Sequence, residues 1–284
     1  MKSIWFWIVA LLPIWSQAQT TQPNRIIGVY SQPISSFSTW QQRGVNTLFR
    51  WETQGNTITV DAYFAAANTA GLYVIPQDDG SAKAHYGDGN CLGVAVTDES
   101  NDNITATQLG TEATTAYSQG AKAFFVNFDG WKMRYQTDTQ LQPYVNAVKV
   151  AAKGRPTVWM IDYYVINRGE VTGIAAWRTY VLPQIRRLQN WNPNDQVLVF
   201  VETSFQKLNM QGWTQNPDSS GTPPGPRMRC PTTGEFGEEE ITALKWADGT
   251  VYFPDVIGTG WIGFDGTPPD IAFAMPRITG AVRP

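Results

Sequence analysis

Carboxylates fall at one recurrent place in this 284-residue chain, directly after short apolar runs. Glu52 follows VNTLFR, with Arg50 and Trp51 beside it, and Asp78 and Asp79 follow LYVIP. Asp98 and Glu99 follow LGVAVT, Asp129 follows AFFVNF, and Asp162 ends TVWMID with Tyr163 and Tyr164 next to it. Glu202 closes the run VLVFVET, and Asp265 follows WIGF. Two carboxyl groups facing one another across a cleft can hydrolyse a glycosidic bond: one protonates the departing oxygen while the other attacks the anomeric carbon or activates water. Taken singly, each acid has the plainer reading of a helix N-cap or a solvated loop residue. The repetition points to a cleft.

Other chemistries lack their parts. Ser-His-Asp catalysis would rest on the single histidine, His85, which sits in a Tyr- and Gly-rich loop and reads as a ligand contact or a surface residue. One histidine and two cysteines, Cys91 and Cys230, make no zinc set. Asp98, Ser100 and Asp102 imitate the first ligands of a calcium loop, but Asn103 replaces the turn glycine and Leu109 occupies the closing acid position. No Gly-rich nucleotide fingerprint follows any run. The expectation is an active site without metal or cofactor.

The elements that must position these acids are legible as eight apolar runs suited to strands buried on both faces: IIGVY from Ile26, VNTLFR from Val45, LYVIP from Leu72, LGVAVT from Leu92, AFFVNF from Ala123, TVWMID from Thr157, VLVFVET from Val197 and WIGF from Trp261. Helical spacing fills Thr57 to Ala70, Thr105 to Gly120, Leu141 to Lys153, Gly173 to Leu188 and Glu238 to Ala247. Gly44, Gly71, Gly120 and Gly154 follow helical segments where a left-handed C-cap is expected. Alternation with eight strands predicts an α/β fold, a (β/α)8 TIM barrel forming one domain over residues 19–284. The stretch from Pro76 to Cys91 holds no good helix, and Gln206 to Gly237 is a long Pro- and Gly-rich excursion. Both loops are expected to wall the cleft at the C-terminal rim. With the short tail after Phe264, they keep an open doubly wound sheet as the rival architecture.

Composition narrows the partner. A net charge of −3 offers no footprint for nucleic acid or an anionic membrane. Twelve Trp, eleven Tyr and thirteen Phe are more than a core alone needs, and flat rings suit sugar faces. Trp51, Trp131 and Trp213 follow strand runs and read either as sugar platforms or as loop packing, whereas Trp159, Trp177 and Trp246 read as core. Lys2, the apolar run Ile4 to Trp15 and the small residues Ser16 and Ala18 read as a signal peptide over residues 1–18, giving a secreted or periplasmic chain from Gln19. A monomer acting on carbohydrate is expected. Whether Cys91 and Cys230 pair in that oxidising setting stays open.

The strand ends LFRW, VAVTDES and VFVETS resemble those of the clan A barrel glycoside hydrolases, whose catalytic glutamates end strands 4 and 7. The resemblance implies Glu99 as general acid/base and Glu202 as nucleophile, with retention of anomeric configuration. It also implies Arg50 beside the nucleophile, and Tyr163 or Tyr164 orienting it. Asp129, Asp162 and Asp265, with Trp51 and Trp131, would complete the substrate-binding set. One departure stands out: the clan has asparagine before the acid/base glutamate, where it binds the sugar 2-hydroxyl, and this chain has Asp98. That keeps two alternatives open, a pair made of Asp98 and Asp162, and a barrel that binds carbohydrate without cutting it.

Overall fold

The computed structural model describes residues 23–50, 58–163, 174–203, 232–253 and 275. Eight parallel strands alternate with helices: β1 (Ile26–Tyr30), α1 (Phe37–Gln42), β2 (Thr47–Arg50), α2 (Val60–Thr69), β3 (Tyr73–Pro76), β4 (Val94–Thr97), α3 (Ser100–Asn103), α4 (Ala106–Ser118), β5 (Phe124–Asp129), α5 (Gly130–Met133), α6 (Asp138–Ala152), β6 (Thr157–Asp162), α7 (Ile174–Trp191), β7 (Gln196–Glu202), α8 (Thr233–Trp246) and β8 (Gly249–Phe253). The strand order is β3-β2-β1-β8-β7-β6-β5-β4. The two end strands meet through parallel bridges at Val74–Cys91 and Gln77–Ala95, so the sheet closes into a (β/α)8 barrel and the open-sheet alternative falls.

Alternation along each strand builds two cores. Ile26, Phe49, Ile75, Phe125, Met160 and Leu198 fill the barrel lumen, while Val29, Leu48, Val74, Phe128, Trp159 and Val199 face the helices. Gly28 shows how tight the lumen is: a Cβ there would meet the Phe49 ring at 2.5 Å, and that ring packs edge-on against Phe125. Side chains fill the lumen below, so a site can form only where the strands end.

The segment between β3 and β4 does what a helix does elsewhere in the barrel. Ala82 and Tyr86 are buried in the helix-side core, and a single 3-10 turn at Lys83–His85 carries them. Its middle therefore covers the barrel wall, contrary to the expectation that it walls the cleft. His85 pins it by bridging Asp61 of α2 at 2.8 Å and Asp88 at 2.7 Å, with its ring stacked on Phe64, so this histidine is a tether. The other long excursion is shorter than the sequence implies, because α8 begins at Thr233 with a Thr232/Glu235 capping box. Its residues 206–231 lie outside the described set.

The eighth strand corrects the reading of WIGF. The strand that pairs with both β1 and β7 is Gly249–Phe253, whereas Trp261 to Phe264 and Asp265 lie outside the described residues. Strand pairing selects this segment: a Cβ on Gly249 would stand 2.1 Å from the Ile26 carbonyl, and Asp248 receives the Val197 N–H at 2.8 Å. Trp159 and Trp177 are fully buried as expected, but Trp246 is 38% exposed at the end of α8, with the Arg186 guanidinium 4.9 Å from its ring centre. Among the described residues no helix is long and apolar enough to cross a membrane.

Candidate active site

The geometry of the site turns on one irregularity in β4. Ala95 pairs with Phe125 and Thr97 with Val126, so β4 carries one extra residue, Val96, against β5. Ala95 is in the lumen, Val96 is in the helix-side core, and the Thr97 hydroxyl bonds the Glu112 carboxylate of α4. The extra residue shifts the alternation, and Asp98 turns inward. Its Oδ1 accepts the Asn127 side-chain N–H at 2.8 Å, and its Oδ2 lies 3.5 Å from the Tyr30 hydroxyl, which donates to it. Strict alternation from Ala95 would have pointed Glu99 inward and Asp98 outward.

Glu99 lies instead at the lip, half-buried, in a left-handed backbone conformation with φ 44° and ψ 50°. Non-glycine residues hold that conformation at some cost, and such strain clusters at working sites. The turn after it is fixed by Asn101, whose Oδ1 accepts the Asp129 N–H at 2.7 Å and whose Nδ2 donates to the Asp129 carbonyl at 3.1 Å. Asp162 ends β6, two residues beyond the lumen residue Met160.

Tyr30 is where these groups converge. It ends β1, its ring lies against Phe253 and Phe200 with centres 5.4 and 6.2 Å away, and burial raises its hydroxyl pKa. The charges of Asp98, Asp162 and Glu99 raise it further, which brings all three carboxyls within electrostatic reach of one hydroxyl. Burial also raises the Asp98 pKa, opposed by the bonds from Asn127 and Tyr30 and by the Glu99 N–H. Neither Tyr30 nor Asn127 was among the sequence candidates. A signal existed for Asn127, the one polar residue inside the apolar run FFVNF. Tyr30 carries no such mark, since a tyrosine ending an apolar run reads as core.

Several candidates face elsewhere. Arg50 follows the lumen residue Phe49 and lies over the Tyr63 ring of α2 at 5.4 Å, on the helix side, where burial lowers its pKa. Tyr163 is buried in the helix-side core, stacked on Trp131 with ring centres 6.0 Å apart, and its hydroxyl accepts from Arg134 at 3.2 Å. Trp131 is half-buried against that core. Asp129 caps α5, its Oδ1 accepting the N–H groups of Trp131 at 2.7 Å and Lys132 at 3.2 Å. Asp78 accepts from the Tyr86 hydroxyl at 3.4 Å, and burial pushes it up to about 6. The backbone of Glu202 closes β7 in register with Phe253, while its side chain lies outside the described set. Trp51, Glu52, Tyr164, Trp213, Cys230 and Asp265 also lie outside it. Cys91 is a buried thiol pointing at the Gly93 carbonyl. Among the described residues no group of three His, Cys, Asp or Glu is placed to hold a metal.

No family model and no curated protein matches this chain. Among solved structures, an endo-beta-1,3-glucanase of glycoside hydrolase family 128, subgroup IV, from Lentinula edodes superposes with a TM-score of 0.52 at 14% identity, covering 88% of this chain and 98% of that one. A beta-D-glucuronidase from Dictyoglomus thermophilum gives 0.46 at 10% identity, covering 90% of this chain, which spans about half (50%) of its length. A putative deoxyribose-phosphate aldolase from Toxoplasma gondii gives 0.44 at 9% identity, covering 91% and 93%. The glucanase likeness bears on architecture, and the architecture is a (β/α)8 barrel.

Proposed function

We propose that this chain is a secreted glycoside hydrolase acting on a polysaccharide or oligosaccharide with retention of anomeric configuration. The observation that carries the proposal is the inward-turned Asp98, bonded to Asn127 and Tyr30 at the strand C-termini, where barrels of this type build their sites, with the charges of Glu99 and Asp162 acting on the same Tyr30 hydroxyl. In this reading Glu99 protonates the glycosidic oxygen as the C–O bond breaks, and Glu202 attacks the anomeric carbon to form a glycosyl-enzyme ester. Glu99, now ionised, then takes a proton from the water that displaces Glu202. The site works as a monomer and without cofactor.

A second assignment has its own support. The bulge turns Asp98 inward, and Asp162 shares its reach to Tyr30, so an Asp98/Asp162 pair has lumen-facing geometry in its favour. The test of the shared reading is to incubate residues 19–284 with laminarin, xylan, mannan and cellooligosaccharides and follow the first-formed anomer by proton NMR. Release of the retained anomer is expected. Binding without turnover would favour a carbohydrate-binding barrel, and the inverted anomer would remove the nucleophile role of Glu202.

Secretion has a separate check. Expressed from the full sequence in a host that exports proteins, the chain is expected outside the cytoplasm with an N-terminus at Gln19 by intact mass. A cytoplasmic product retaining Met1 to Ala18 would reverse the proposed location.

A further inference from the structure

β5 continues through Asn127, Phe128 and Asp129 beyond its last pairing with β4, which stops at Thr97 opposite Val126. Asp129 still pairs with Asp162 of β6, but the β4-side flank of β5 needs another partner for its backbone. Asn101 supplies it. A side-chain amide carries the same donor and acceptor as a peptide unit, and here Oδ1 takes the Asp129 N–H at 2.7 Å while Nδ2 gives to the Asp129 carbonyl at 3.1 Å. Nδ2 also donates to Gln136 Oε1 at 2.8 Å, and Gln136 Nε2 returns a bond to the Asn101 carbonyl at 3.4 Å. Asn101 is buried, so this amide has its partners inside the protein. Only Asp98, Glu99 and Ser100 separate Thr97 from this anchor. The chain leaves the sheet by the left-handed turn at Glu99, whose carbonyl accepts the N–H groups of Asp102 at 2.8 Å and Asn103 at 3.1 Å. A helix as short as the four-residue α3 cannot hold a strained residue by itself. Asp102 adds an ion pair to Lys132, but both side chains are exposed and such pairs contribute little.

We propose that Asn101 is a positioning residue of the site: its amide stands in for the next rung of β4 and thereby holds Glu99 in the left-handed turn that places its carboxyl at the lip. Asn101 acts through Glu99 alone. The hold itself is independent of what the barrel does, whereas its effect on turnover rests on the glycosidase reading, with Glu99 as the acid.

Thermal unfolding reads the hold without any substrate. Glu99→Gly is expected to melt about 2 to 4 °C above Glu99→Ala, because glycine takes a positive φ without strain and alanine does not, and neither variant carries the carboxylate. The same pair is then made in Asn101→Asp, which keeps an acceptor for the Asp129 N–H but has no N–H for the Asp129 carbonyl or for Gln136. There the gap is expected to vanish. In Asn101→Ala, which removes every bond of the amide, it is expected to reverse, since an unheld backbone favours alanine over glycine. A gap that persists undiminished in Asn101→Asp would overturn the proposal, and so would Glu99→Ala melting as high as Glu99→Gly when Asn101 is present. On a polysaccharide that the wild type cleaves, Asn101→Asp is expected to lower kcat about 10- to 10²-fold with KM nearly unchanged, the cost of a misplaced acid, and to spare activated aryl glycosides. Combined with Glu99→Ala it is expected to add no further loss, because the group it positions is gone. Equal losses on both kinds of substrate, or a further loss in the double variant, are the marks of general weakening and would overturn the proposal. Full activity in Glu99→Ala would remove the acid assignment instead, and the melting gap would still decide the hold. If no glycan is cleaved, that gap alone decides.

Discussion

Glu99→Ala is expected to slow hydrolysis of unactivated glycosides by about 10²- to 10⁴-fold, the usual worth of general acid help, and to slow activated aryl glycosides far less. The contrast follows from the leaving groups: an aryl oxide departs with little protonation, whereas a sugar hydroxyl cannot leave without it. Glu202→Ala removes the covalent route for both kinds of substrate, and azide filling the vacated space is expected to restore turnover with an inverted glycosyl azide as product. Steady-state rates on paired substrates and NMR of the azide product read both effects. Full activity in both variants, on a substrate the wild type cleaves, would overturn the pair and move the roles to Asp98 and Asp162. Glu99 sits half-buried at the lip in a left-handed turn, a position from which a side chain can reach a bound glycosidic oxygen without belonging to the lumen.

Much of this frame was legible in the sequence because the signals are local. IIGVY and TVWMID form strands over their full length, the five helical spacings become α2, α4, α6, α7 and α8, and the glycines at 44, 71, 120 and 154 take φ values of 93°, 68°, 100° and 87° where helices end. What was not legible depends on partners distant in sequence. Alternation says that Asp98 and Glu99 face opposite sides but not which is inside, and the answer lies in a bulge defined only by pairing with β5. Arg50 ends β2 and Tyr163 directly follows β6 with chemistry-bearing side chains, yet α2 and α5 draw them to the helix side. β8 escaped because GTVYF begins three residues after a helix ends, and only the close approach of Ile26 explains why a glycine must open it.

Stability is expected to carry a signature of a different carboxyl, one the reaction does not use. Glu240 of α8 is fully buried against β8, its Oε1 accepting the Tyr252 hydroxyl at 2.9 Å and the Thr250 hydroxyl at 3.1 Å. Its Oε2 is buried with no hydrogen-bond partner among the described residues, so a charge there would be half-satisfied. Burial pushes the group up from 4.5 to about 7, against the two hydroxyls and the charge of Arg25. Below pH 4.5 the carboxyl is protonated in folded and unfolded chains alike, and the full contribution is present. As pH rises from there to about 7, the unfolded chain gives up the proton while the folded chain retains it, and stability drains away. At about 1.4 kcal/mol per pH unit the total is roughly 3 kcal/mol. Glu240→Gln keeps an acceptor for Tyr252 and Thr250 and has nothing to titrate. Its urea unfolding free energy is therefore expected to gain on wild type by that amount between pH 4.5 and 8. Asp78, raised to about 6, tilts both curves the same way and cancels in the difference. Parallel curves for the two proteins would mean that Glu240 ionises in the folded barrel as readily as in the unfolded chain, and that burial against β8 costs its charge nothing.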